Sequence, residues 1–416
     1  MKSVSKRLVW TVAALAVAWV GGVAFAMSAT KAAPQTSPAP PVRLPSRSAH
    51  SRAVPFSLEA TVFAQAAGQT QAGSTPQMAE AVFKNIQVLK GIPVDEFLGT
   101  MGFFSTALSV CCGDCHTGAG TSNPKWEDDP PRKRMARAMV QMVQTINRTN
   151  FGGRQVVTCW TCHRGTQTPA LTPPLDFAYG DVSPTPPDVL PRATSGVPTL
   201  DQVFDKYIQA LGGTARVNAL TSYTAKGRSI LFGEIGSGDP AEIFAKAPNQ
   251  LAMFVHQREG DVARTFDGST AWFQLPLTVT PQYPLTDSRR DGAALEAAMA
   301  FPWRIRGFFT NWRVSYPASL DGRDLNVVQG NNASVILTLY FDKESGLLRR
   351  VIRYSNTAVG RTPTQVDYSD YRPVAGVMMP FKFSYAWVSQ REEWTLTEYQ
   401  PNASIDASKF GRPVNR

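Results

Sequence analysis

Cys112-Gly113-Asp114-Cys115-His116 and, farther along, Cys159-Trp160-Thr161-Cys162-His163 decide how this chain is read. Both spell C-x-x-C-H. Two thiols three positions apart can each add to one vinyl group of a single porphyrin, and the imidazole that follows then stands over the iron. The pentapeptide is therefore the attachment signature of a c-type haem. The chain has 416 residues with 5 Cys and 4 His, and chance at that composition predicts fewer than about 0.001 matches. Two matches imply two covalently bound haem c groups, attached through Cys112, Cys115, Cys159 and Cys162, with His116 and His163 as iron ligands. Cys111 offers a C-x-x-x-C-H variant with Cys115, and the reading takes Cys112 as the thioether donor.

Two other chemistries use the same residues. Paired C-x-x-C elements bind zinc, but a zinc site has no need of a His directly after each pair. In an oxidising compartment the pairs could instead close redox-active disulfides. The repeated His again favours haem.

The compartment follows from the N-terminus. Lys2, Lys6 and Arg7 precede an uncharged run, LVWTVAALAVAWVGGVAFAM, over residues 8–27. A basic flank followed by an apolar run is an export signal, and Ala24-Phe25-Ala26 fits its cleavage site. The run is also long enough to be retained as an anchor. A Pro-rich stretch follows, with six Pro and four Lys or Arg over residues 31–55, the composition of an extended tether. The expected location is periplasmic, soluble or anchored to the outer face of the cytoplasmic membrane. The net charge of +10 suits an acidic or membrane-bound partner, and export argues against nucleic acid.

The sixth iron ligand separates electron carriers from gas binders and peroxidases. Only His50 and His256 remain outside the motifs. Methionine is better placed. Pro93 opens a predicted helix, PVDEFLGTMGFFSTALSV, with Phe97, Met101, Phe104 and Leu108 on one face. Gly99 and Gly102 flank Met101, which suggests that something flat approaches the backbone there. Before the second motif, Asp128-Asp129-Pro130-Pro131 leads into RKRMARAMVQMVQTINR, with Met135, Met139 and Met142 on its apolar face. The unit is used twice: a Pro-started helix, a methionine, a short connection, then C-x-x-C-H. Spacing alone leaves Met139 and Met142 both open.

Residues from about Met78 to Ala170, with KNIQVLKGIPVDEF, DDPPRKRMARAMVQMVQTIN and VTCWTCHRG, resemble the haem-binding repeat of the cytochrome c subunit of photosynthetic reaction centres. The resemblance implies a helix lying along each porphyrin plane, a Met from that helix as sixth ligand, and electrons passing from haem to haem. It carries the ligand role onto Met101 and onto Met139 rather than Met142. That subunit holds four haems, whereas this chain has two sites. Trp160 is a candidate to pack on the macrocycle, and Arg164 to pair with a propionate.

Residues 171–198 hold seven Pro and read as a linker. Thr199 and Gln202 then make a capping-box start to TLDQVFDKYIQALGG, stopped by Gly212-Gly213. Beyond Thr221, AEIFAKA, LAMFVHQ, GSTAWFQLP, VILTLYFD, LLRRVIRY, TQVDYSDY, FKFSYAWV and EEWTLTEY read as strands. Asp267-Gly268, Asp321-Gly322 and Glu344-Ser345-Gly346 read as turns, and AALEAAMAFPWRIRGFF as a helix. The YFDKESGLLRRV hairpin in this order of elements resembles the half-barrel of outer-membrane lipoprotein carriers, which implies an apolar cavity able to take an acyl chain or similar ligand.

The expected fold is multi-domain: residues 1–30 a signal peptide or anchor, 31–77 a Pro/Ala-rich tether, 78–170 a mainly α-helical dihaem c-type cytochrome domain, 171–198 a linker, and 199–416 an α+β domain with a curved antiparallel sheet. The expected function is one-electron transfer, photosynthetic electron transport included, rather than catalysis. A dihaem peroxidase or oxidase with one open iron is the alternative, and a lipid- or quinone-binding second domain a third reading.

Overall fold

The computed structural model describes residues 76–169, 171–172, 188–276, 278–332 and 334–414. The expected export segment, nearly all of the tether and most of the linker lie outside the described residues. Among the described residues no helix is long and apolar enough to cross a membrane. Residues Thr70–Arg416 form one compact unit, in which a small helical part packs on a large sheet.

The helical part comprises α1 (Ala79–Val82), α2 (Val94–Leu108), α3 (Cys112–Cys115), α4 (Pro131–Phe151) and α5 (Cys159–His163). Proline sets both long starts: Pro93 caps α2, and Pro130 caps α4 with Pro131 at its first position, where a missing N–H costs nothing. Left-handed residues stop them, Ser109 at φ 53° and Gly152 at φ 61°. Because α4 buries only Val140, Val143 and Asn147, its narrow stripe makes it a surface helix.

Fourteen antiparallel strands form a single sheet ordered β6-β5-β4-β3-β2-β1-β14-β13-β12-β11-β10-β9-β7, with β8 pairing on β9. In chain order the strands are β1 Ser222–Leu231, β2 Asp239–Lys246, β3 Gln250–Gln257, β4 Gly260–Phe266, β5 Ala271–Gln274, β6 Gln282–Leu285, β7 Asn311–Val314, β8 Ala318–Leu320, β9 Arg323–Asn331, β10 Ile336–Asp342, β11 Leu348–Thr357, β12 Gly360–Val374, β13 Val377–Trp387 and β14 Gln390–Pro401. Each strand read from the sequence lies in this sheet. The first strand pairs with the last, Ala225 opposite Tyr399, and the register slips between Lys226 and Gly227. A Cβ on Gly227 would stand 2.1 Å from the Thr395 carbonyl oxygen, so only glycine lets the two backbones close at that bulge. The expected helix over residues 293–309 is instead an α-helix, Asp287–Met299, followed by a 3-10 segment, Pro302–Phe308. Pro302 has no N–H to continue the α-helix. The helix Leu200–Ala210 starts at Thr199 with the expected capping box and buries Val203, Phe204 and Tyr207 against the sheet, Phe204 meeting Phe341 edge-on at 5.8 Å.

Asp342, only 3% exposed at its side chain, closes the β10–β11 turn. Its Oδ1 accepts from the N–H groups of Glu344 and Ser345 and from Ser345 Oγ at 3.0, 2.7 and 3.0 Å. Burial works against the charged form, but these bonds and Arg323 outweigh it and hold the carboxyl below the usual aspartate range. A lowered folded-state pKa gives stability that is present above the unfolded value and lost as pH falls through the folded one. Asp342→Asn is therefore expected to cost about 1–2 kcal/mol at neutral pH, and the deficit to shrink as pH drops below about 3.9. Urea midpoints of both proteins across that range check it, and a deficit that stays constant with pH contradicts it.

The helical part is tied to the sheet along α2. Thr286 donates its N–H and Oγ1–H to Asp95 Oδ2 and Oδ1 at 2.7 and 2.8 Å. A Cβ on Gly99 would meet Arg289 Nη2 at 1.6 Å, and one on Gly102 would meet Val388 Cγ2 at 3.0 Å. What approaches those glycines is thus the sheet domain's own side chains. With 3.6 residues to a turn, Gly99 lies about 160° around α2 from Met101 and Gly102 about 100°, so neither shares the Met101 face.

Candidate functional site

The two pentapeptides fold into the same local structure for the same reason. In the second, Thr158 caps α5: Thr161 N–H donates to Thr158 Oγ1 at 3.4 Å, and Thr158 N–H donates back to Thr161 Oγ1 at 3.0 Å. In the first, Cys111 takes the place of Thr158 and Asp114 that of Thr161. Cys111 N–H and its thiol donate to Asp114 Oδ2 at 2.9 and 3.2 Å. Reciprocal caps of this kind satisfy helix-end donors that would otherwise be unpaired. Cys112 and Cys159 are accordingly equivalent, each the first helical residue, and Cys111 is occupied as the cap. Arg132 of α4 holds the other Asp114 oxygen at 2.6 Å. The Cys111 bonds, ahead of Arg132, keep that carboxyl below its usual range.

The surroundings of the two motifs differ. Cys159 is buried in a small apolar cluster with Leu89, Phe103, Ala107, Val140 and Val359, and burial pushes its thiol up to about 11. Cys112 and Cys162 are exposed and Cys115 is half-buried. His163 Nδ1 donates to the Thr166 carbonyl at 3.0 Å, which leaves Nε2 with the lone pair a metal needs. His116 lies edge-on to Trp126 at 5.2 Å, and its Nδ1 is buried with no partner. Burial, then the cations of Lys133 and Arg137, hold that imidazole below its usual range and so neutral.

Tertiary contacts position the second motif. Gly165 N–H donates to the Ala107 carbonyl at 3.0 Å, joining the end of α5 to the end of α2. Asn147, buried on α4, accepts at Oδ1 from Val156 and Val157 N–H at 3.1 and 2.9 Å and donates to the Val157 carbonyl at 2.7 Å. The sequence reading missed Asn147. The signal was present: an amide on the Val140–Val143 stripe, where it must find partners to be buried.

Met101 is partly buried and packs against the cluster that includes Cys159. On α4, Met139 is half-buried whereas Met142 is 42% exposed and Met135 60% exposed. Trp160 is 40% exposed, and Arg164 is exposed with a left-handed backbone, φ 49°. Both motif helices contact α4, and α2 contacts α5, so the second motif is held by helices of both repeats. Among the described residues no three His, Cys, Asp or Glu side chains converge to hold a metal ion by themselves. The paired thiols, the imidazole that follows each pair and the Nε2 of His163, left open by the Nδ1 bond to Thr166, fit a covalently attached haem at each motif.

The region carrying both motifs has relatives among the c-type cytochromes. Residues 47–173 match the family model of the photosynthetic reaction centre cytochrome C subunit. The subunit of that name from Roseobacter denitrificans is 32% identical over 116 residues, 25% of this chain and 31% of the relative. That of Thermochromatium tepidum is 35% identical over 102 residues, 24% of each chain. The chain thus spans less than a third of the length of these curated relatives. Among solved structures, a LolA superfamily protein from Nitrosomonas europaea aligns with a TM-score of 0.33 at 11% identity, over 52% of this chain and 99% of that one. A putative outer membrane lipoprotein-sorting protein domain from Vibrio parahaemolyticus aligns with a TM-score of 0.33 at 11% identity, over 47% of this chain and 92% of that one.

Proposed function

We propose that this chain is an exported dihaem c-type cytochrome that relays single electrons between periplasmic or membrane-bound partners. The observation that carries the reading is the repetition of one motif in one capped register, Cys112-Cys115-His116 and Cys159-Cys162-His163. A bound haem supplies a reversible one-electron couple at iron. The protein's residues do the rest. Cys112 with Cys115 and Cys159 with Cys162 would each fix one group against loss, His116 and His163 would ligate the irons, and Met101 and Met139 are the proposed second ligands. Met139 is preferred to Met142 because it is the less exposed of the two. Methionine ligation raises the potential and closes the iron to small molecules. The apolar cluster around Cys159 lowers the local dielectric, which also disfavours the more highly charged oxidised state. The net charge of +10 suits an acidic redox partner, and similarity to the reaction-centre subunit makes a photosynthetic partner one candidate.

The test is a carbon-monoxide difference spectrum of the reduced protein made with c-haem maturation. The wild type is expected to give no response. Met101→Ala is expected to give a response from about one haem in two. A clear response from the wild type would instead mark an open iron and favour a peroxidase or oxidase. Absence of covalent haem from a maturation-competent host would remove the proposal.

A further inference from the structure

The sheet sends one turn into the helical part. Ala358 and Val359 join β11 to β12, a two-residue hairpin tip of the kind that favours Asn and Gly. Val359 is instead 1% exposed, buried in the apolar cluster that holds Phe103 and Cys159. Among the described residues it is the one buried member of that cluster that comes from the sheet domain. The turn is braced internally, since Val359 N–H donates to Thr357 Oγ1 at 3.3 Å and Thr357 Oγ1 donates to the Gly360 carbonyl at 2.7 Å. It is also fixed from outside. Gln155 Nε2, just ahead of the second motif, donates to the Thr357 carbonyl at 3.0 Å, and a Cβ on Gly360 would collide with the Phe103 ring. A thioether joins a cysteine sulfur directly to the porphyrin edge, so whatever keeps water from Cys159 also shields that edge. The first motif lacks this cover, because Cys112 is exposed.

We propose that Val359 is a positioning residue for the second haem: the β11–β12 turn keeps the surroundings of Cys159 dry and thereby raises the potential of that haem alone. The inference rests on the dihaem reading and adds to it a role for the sheet, which carries neither motif. Water admitted to the cluster would solvate the extra charge of the oxidised state, so wetting shifts the couple toward oxidation.

Spectroelectrochemical titration of the full-length, two-haem protein tests it. Val359→Thr keeps the branched shape but adds a hydroxyl, and is expected to raise the oxidised-to-reduced ratio of one haem about threefold at a fixed poise. Val359→Asp is expected to raise that ratio about tenfold, a fall of about 59 mV for one electron. Val359→Ile stays apolar and is expected to keep the wild-type ratio. The Cys112→Ala/Cys115→Ala protein carries only the second haem and is expected to show the same shifts, which assigns them. Hydrogen exchange of the Cys159–His163 amides reads the wetting without reference to potential, and is expected to quicken in Val359→Thr and Val359→Asp. Should Val359→Asp not fold, Val359→Thr carries the test. Unchanged ratios in the folded variants, equal shifts at both haems, or a shift confined to the first haem would each overturn the proposal. Absence of covalent haem would remove the dihaem reading and this inference with it.

Discussion

Replacing both Cys112 and Cys115 with alanine is expected to leave one covalently bound haem per chain where the wild type has two. Covalent attachment at one motif uses only the thiols of that motif, because the pairs lie on separate short helices, Cys112–Cys115 and Cys159–His163. The second motif is anchored independently through Asn147 and the Gly165–Ala107 bond, so it should mature normally. Cys111→Ala is the informative partner experiment. Cys111 occupies the cap position that Thr158 holds in the second motif, with its thiol bonded to Asp114. Its loss is expected to cost about 1 kcal/mol of local stability but no haem. Pyridine haemochrome absorbance per mole of chain reads all three proteins. A Cys111→Ala protein carrying one haem would transfer the thioether to Cys111. Two haems on the double variant would remove the attachment scheme.

The largest expected loss of stability is in the sheet, at Trp394. This side chain is 1% exposed and stacks on Phe383 with centroids 5.4 Å apart and planes 13° from parallel. Its Nε1 donates to Glu392 Oε2 at 2.9 Å, and Glu392 in turn holds Arg264 at 2.7 Å. Trp394→Ala removes the ring from the core, at about 3–5 kcal/mol, and withdraws a donor from a buried carboxylate at a further 1–3 kcal/mol or so. Against a typical stability of about 5–15 kcal/mol that approaches unfolding. Trp394→Phe fills most of the space and is expected to lose about half as much. Urea unfolding followed by circular dichroism measures both, and a Trp394→Ala loss below about 2 kcal/mol would show that the core closes over the gap.

Many elements were legible because their determinants are local. Thr199 with Gln202 marks a helix start in four residues, and Asp267-Gly268 and Asp321-Gly322 sit at hairpin turns. The strand runs rich in aromatic and β-branched residues all lie in the sheet. β1 was not legible: SYTAKGRSIL places Lys226, Gly227 and Arg228 at its centre, a pattern that reads as exposed chain. It is nevertheless an interior strand, because β14 and β2 flank it. The glycines beside Met101 misled for a related reason. A small residue reports that something comes close, but not what, and Arg289 and Val388 are far from it in sequence.

The sequence by itself determined the chemistry at the two motifs. Thiol spacing, the adjacent imidazole and the helix caps are interactions within five or six residues, and no distant contact is needed to specify them. Only the tertiary structure decided that Cys159 is buried while Cys162 is exposed, that Asn147 holds the approach to the second motif, and that α2 lies on the sheet through Asp95 and Thr286. These outcomes rest on contacts across long loops, such as Ala225 opposite Tyr399 or Arg353 with Glu296. Each becomes favourable only once the rest of the sheet has met the entropy of closing those loops, so no short stretch of residues carries its signature.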